Sequence, residues 1–74
     1  MHITIKLFAT FREGRFKVEE WELPEGTKAE EILRRLNIKS GEVAILLING
    51  RDAAPDKTLN PGDIISLFPP VGGG

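Results

Sequence analysis

Residues 2–8, HITIKLF, alternate without a break: Ile3, Ile5 and Leu7 take one parity, and His2, Thr4, Lys6 and Phe8 the other. Side chains in a strand point to opposite faces in turn, so this predicts a strand with one face buried. After a turn at Arg12-Glu13-Gly14, residues 15–23 are again strand-like, but the apolar parity slips from Phe16 and Val18 to Trp21 and Leu23. One inserted residue resets an alternation, which predicts a β-bulge near Glu19 and Glu20 with all four apolar side chains on one face.

Beyond Pro24-Glu25-Gly26 the period changes. Ala29, Ile32, Leu33 and Leu36 fall at i, i+3, i+4 and i+7, while Glu30, Glu31, Arg34 and Arg35 take the other positions. That is one amphipathic helix. Thr27 and Glu30 have the spacing of a capping box at its start, and Asn37 suits its end. Val43 to Ile48 is apolar throughout, as in an internal strand, and Asn49-Gly50 predicts a tight turn. A short strand near residues 52–54, a loop from Pro55 closed by Asn60-Pro61-Gly62-Asp63, and a last strand from Ile64 to Phe68 complete the chain. Trp21, Leu23, Val43, Ile45 and Leu47 are core candidates, and Asp52, Asp56 and Asp63 read as turn formers. The order strand, strand, helix, strand, short strand, strand predicts an α+β roll, a mixed sheet with one helix on one face. The pattern leaves open which strands are neighbours.

At 74 residues the chain holds one domain, residues 1–68, followed by an extended tail, residues 69–74. With 41% hydrophobic and 28% charged residues it reads as a soluble globular protein. A formal net charge of −1 with both signs interspersed offers no footprint for a phosphate backbone, so nucleic acid is not the expected partner. The apolar run 43–48 is far too short to span a membrane, and a cytoplasmic location is expected. There is no cysteine, and the single histidine, His2, has no second ligand nearby, so neither thiolate nor metal chemistry is expected of the side chains.

What remains is the C-terminus, FPPVGGG. A carboxylate becomes an electrophile only once it carries a good leaving group. Gly72, Gly73 and Gly74 lack a Cβ, so they can adopt dihedrals closed to other residues and pass where side chains would not fit. Pro69 and Pro70 favour a stiff extended spacer, giving residues 69–74 a reach of roughly 20 Å.

The Asn49-Gly50 and Pro61-Gly62-Asp63 turns, with Phe68-Pro69-Pro70-Val71 running into glycines, resemble the β-grasp, ubiquitin-like sulfur carriers of the MoaD/ThiS family, and within it the small subunit of molybdopterin synthase. The resemblance covers the whole chain, and its specificity sits in residues 61–74. It implies that Gly74, preceded by Gly73, is adenylated by a ubiquitin-activating-like enzyme that consumes ATP. A sulfur donor system then converts it to a thiocarboxylate. It further implies that Pro69, Pro70, Val71 and Gly72 thread the terminus into a large catalytic subunit, where the sulfur builds the dithiolene of the pterin. On this reading the chain is not an enzyme alone and holds no cofactor stably. Gly72 stands where many relatives of the molybdopterin type carry alanine, serine or threonine.

If the first and last strands are neighbours, as in the resembled fold, Phe8 and Phe68 lie on the face away from the helix near the tail's exit, a patch suited to docking a partner. Arg12 and Arg51 are candidates for meeting acidic partner surfaces. The rival readings are a sulfur carrier for the thiazole of thiamin, a ubiquitin-like protein modifier forming isopeptide bonds, and a passive interaction domain with an idle tail.

Overall fold

The computed structural model describes residues 1–70. Five strands, β1 (His2–Leu7), β2 (Val18–Glu22), β3 (Ile45–Ile48), β4 (Arg51–Asp52) and β5 (Ile64–Phe68), form one sheet in the order β2-β1-β5-β3-β4. The central pair, β1 and β5, is parallel, and every other pair is antiparallel. The helix α1 (Ala29–Arg35) supplies one layer over the sheet. This is the β-grasp arrangement. Among the described residues no helix is long and apolar enough to cross a membrane.

The alternation in β1 translates directly into packing. Ile3, Ile5 and Leu7 are fully buried, as are Ile65 and Leu67 beside them on β5. Burying such a side chain contributes about 1.5–3 kcal/mol, so these five and the helical stripe supply much of the fold's driving force. Ala29, Ile32, Leu33 and Leu36 are all buried, as the 3.6 periodicity predicts. Asn37 ends the helix in a left-handed conformation, φ 60°. The Ile38 N–H reaches Leu33 O at 2.9 Å and the Asn37 N–H reaches Arg34 O at 3.0 Å, a Schellman closure with Ile38 buried beside it.

Three expectations fail, each for a physical reason. The register of β1 with β2 runs unbroken from His2↔Glu22 to Lys6↔Val18, so there is no bulge at Glu19 and Glu20. Val18 therefore faces away from the core and is 57% exposed, while Trp21 packs at the core's margin against Phe16 and donates its indole N–H to Glu19 at 2.7 Å. An edge strand tolerates a broken pattern because its margin is half solvated. The capping box does not form either: Thr27 Oγ1 donates to Pro24 O. The amides of Ala29 and Glu30 donate instead to Lys57 O (3.0 Å) and Pro55 O (2.7 Å), carbonyls of a loop distant in sequence. Finally, Ile45 and Leu47 are not core residues. Leu46 and Ile48 face the helix, whereas Ile45 (43% exposed) and Leu47 share the open face with Phe68 and Ser66, their partners on β5.

Candidate functional site

The residues of interest gather where β1 and β5 end side by side. The Phe8 N–H donates to Leu67 O (3.2 Å) and the Ala44 N–H to Phe68 O (2.9 Å), which carries the ladder to the last residue of β5. The rings of Phe8 and Phe68 stack with centroids 4.2 Å apart and planes 8° from parallel. Directly after Phe8 the chain turns. Ala9 has φ 53°, and a single 3₁₀ turn, Ala9–Arg12, buries Phe11 and returns Arg12 over the Phe8 ring, its guanidinium carbon 5.2 Å from the centroid. Arg12 Nε donates to Leu7 O at 2.6 Å, which fixes the guanidinium in that place.

Left-handed backbone costs a residue other than glycine about 1–2 kcal/mol, and alanine has no polar atom to offset it. The burial of Phe11, worth about 1.5–3 kcal/mol, offsets that cost. The aromatic stack adds about 0.5–1.5 kcal/mol and the exposed cation–π contact about 0.5–1 kcal/mol. The corner is therefore strained but firmly held. Strain of this kind, over-determined by its surroundings, is a mark of a functional position.

The same end of the open face is apolar. Phe8, Phe68 and Ile45 form one row across three strands, and Leu47 and the 37% exposed Ile64 flank Ser66 beneath it. Lys6 sits among them, paired with Ser66 on one side and Val18 on the other. Pro69 is buried and so packs with the domain, while Pro70, two residues beyond Phe68, is exposed. Val71, Gly72, Gly73 and Gly74, the remaining tail candidates, lie outside the described residues.

Of the sequence-derived docking residues the structure thus unites Phe8, Phe68 and Arg12. Arg51 stands apart. It pairs with Ile48, which in turn pairs with Ile65, so it lies two strands across and three residues down from Phe68, about 14 Å away by strand geometry. It borders a shallow polar groove with Asn49, Asp52 and Lys57. Sequence reasoning missed Ile45 and Leu47, because a run that is apolar throughout carries no parity, and Ala9, because alanine is no turn signal. Among the described residues no group of three His, Cys, Asp or Glu side chains could hold a metal ion.

A family model described as the ThiS family matches residues 5–74, which include the whole tail. The chain belongs to the ThiS family. This ThiS-family chain is accordingly a ubiquitin-like carrier of the ThiS/MoaD type. Its fold is similar to that of a Pyrococcus furiosus protein assigned as molybdopterin converting factor, subunit 1 (30% identity, 96% of this chain and 99% of that one, TM-score 0.77). It is also similar to small archaeal modifier protein 1 of Haloferax volcanii (26% identity, 95% and 98% covered, TM-score 0.75). A third likeness is to a chain in the complex of subunits 1 and 2 of the molybdopterin-converting factor of Helicobacter pylori (25% identity, 100% of both chains, TM-score 0.66).

Proposed function

We propose that this ThiS-family chain is the sulfur-donating small subunit of a molybdopterin synthase. An activating enzyme joins the Gly74 carboxylate to AMP, releasing pyrophosphate from ATP. Sulfide-level sulfur from the donor (HS⁻) then attacks the acyl carbon, AMP leaves, and a thiocarboxylate remains. The observation that carries this reading is the setting of the tail: it follows directly on Phe68, which closes the apolar row with Phe8 and Ile45, and Pro70 is exposed, so a partner gripping that row would meet the terminal glycines a few residues on. Both the adenylating enzyme and the large synthase subunit would use this end. The Phe68-Pro69-Pro70 element and the likeness to the two converting-factor proteins favour molybdopterin over the thiazole of thiamin.

Intact mass is the decisive test. After incubation with ATP, an activating enzyme and a sulfur donor, the full chain should gain the difference between sulfur and oxygen, and the chain lacking Gly74 should not. No gain with an enzyme proven active on another carrier would end the proposal. Capture of a large synthase subunit rather than a thiazole synthase would fix the branch. A second reading, protein modification, is favoured by the similarity to small archaeal modifier protein 1. It predicts high-mass conjugates that disappear on deletion of Gly74.

A further inference from the structure

Of the three asparagines, Asn49 alone precedes a glycine. Asn37 is followed by Ile38, whose branched side chain crowds its own N–H, and Asn60 by Pro61, which has no N–H at all. The Asn49-Gly50 pair therefore has the chemistry to change its own side chain: the Gly50 amide nitrogen attacks Asn49 Cγ, the Cγ–Nδ2 bond breaks, and ammonia leaves with the proton given up by Gly50. The cyclic imide that remains takes up one water at either carbonyl and opens to aspartate or isoaspartate. Gly50 has no side chain to hinder the attack, and both residues are exposed.

The fold opposes the first step. Asn49 Cγ is held through both of its polar atoms, Nδ2 donating to Asp63 Oδ1 at 2.8 Å and Oδ1 accepting the Ile64 N–H at 2.9 Å, while the Asn49 N–H donates to Ile64 O at 2.8 Å. Asp63 is itself buried and accepts the Asn60 N–H on its other oxygen at 2.8 Å. Ring closure also needs the Asn49 backbone to bring the Gly50 nitrogen to the Cβ side, whereas the left-handed conformation at φ 53° turns it away. The side chain is thus tied to the start of β5, clear of the nitrogen that would attack it. After conversion to aspartate the same contact turns repulsive: a carboxylate oxygen stands where Nδ2 stood, facing Asp63 Oδ1. Conversion to isoaspartate adds a methylene to the backbone of a two-residue turn, which upsets the pairing of Ile48 with Arg51.

We propose that Asn49 is a deamidation site held shut by Asp63: conversion proceeds only when this latch opens, and the product cannot close it again. The test follows the full chain in mildly alkaline buffer by intact mass, with peptide mapping to place the conversion. Folded wild type should convert at Asn49 at least about tenfold more slowly than the same chain unfolded in urea, and Asp63→Ala, with folding verified by its amide spectrum, should recover most of that difference. Conversion as fast in the folded as in the unfolded chain would overturn the proposal, and so would an unchanged rate in folded Asp63→Ala. Asn49→Asp supplies the product directly and keeps the test open where Asp63→Ala does not fold. Its urea midpoint should lie below that of wild type, and a midpoint equal or higher would show that the latch accepts the product, which also overturns the proposal. None of these readouts depends on the carrier reading.

Discussion

Asn49 and Ala9 share a backbone angle, φ 53°, at opposite ends of the sheet, and they support it by different means. At Asn49 the side chain does the work. Its Nδ2 donates to Asp63 Oδ1 at 2.8 Å, its Oδ1 accepts the Ile64 N–H at 2.9 Å, and the other Asp63 oxygen accepts the Asn60 N–H at 2.8 Å. Asparagine tolerates this region of conformation, and Gly50, at φ 80°, completes a two-residue hairpin turn between β3 and β4. At Ala9 the side chain contributes nothing of the kind. The turn is held from outside, by the burial of Phe11 and the stacking of Arg12 and Phe68 on Phe8. One end of the sheet is built for stability and the other holds strain beside the tail.

The largest effect should come from the stable end. Asp63 is only 7% exposed, and Asp63→Ala removes two hydrogen bonds to a carboxylate that tie Asn49 and Asn60 together. A loss of about 3 kcal/mol is expected, since each charge-assisted bond is worth about 1.5–3 kcal/mol and the gain is shared with solvent. Urea denaturation would show it as a lowered midpoint with an unchanged slope. A loss below about 1 kcal/mol would mean that water replaces the carboxylate and that this end is not locked as described.

Ala9→Gly tests the strained end, and the predicted sign is opposite. Glycine removes about 1–2 kcal/mol of left-handed strain and adds about 0.4–1 kcal/mol of unfolded-chain entropy, so the variant should be more stable by about 0.5–1 kcal/mol. Function should move the other way. On the proposed carrier function, a freer corner lets Arg12 leave the Phe8 ring and loosens the docking row, so adenylation should slow as the melting temperature rises, the trade expected where strain serves activity. Destabilisation by Ala9→Gly would remove strain from the account.

These two ends also mark what the sequence reveals. Asn-Gly and Pro-Gly-Asp name their turns because each residue carries the chemistry the turn needs: Gly62 has φ 85°, and Asp63 closes the loop onto Asn60. The strict parity of Ile3, Ile5 and Leu7 and the stripe from Ala29 to Leu36 are legible for the same reason, each position repeating one instruction. Ala9 repeats none; its conformation comes from Phe11 and Arg12 finding partners elsewhere. In the run from Val43 to Ile48 the parity is erased, so only pairing with Phe68 and Ser66 reveals that Ile45 and Leu47 line the open face. The helix N-terminus is closed by Pro55 and Lys57, and no local motif announces a partner that far along the chain. Of the site itself, Phe8, Phe68 and Arg12 were readable from parity and resemblance, and their mutual stacking was not.

The smallest effect expected belongs to neither end and serves as the control for both. Glu31 on α1 accepts hydrogen bonds from Arg34 Nε and Arg35 Nε, each at 3.0 Å. The Arg34 guanidinium first, then that of Arg35, holds its carboxyl down from 4.5 to about 2. Because the folded chain binds this proton less tightly than the unfolded one, the stabilisation is complete above pH 4.5 and is lost as pH falls from there towards 2. Glu31→Gln should therefore lower stability slightly at neutral pH, and the difference from wild type should close across that window. The pairs are exposed, so salt should weaken the effect as well. A difference that stays constant with pH would mean that the glutamate acts through helix propensity and not through its charge. The variant should leave both Asp63 and Phe68 undisturbed in the amide spectrum, because α1 meets the sheet through Ile32 and Leu33 and not through Glu31. Any response of Phe68 to Glu31→Gln would show that the aromatic corner senses the general stability of the domain and is not held by its own contacts.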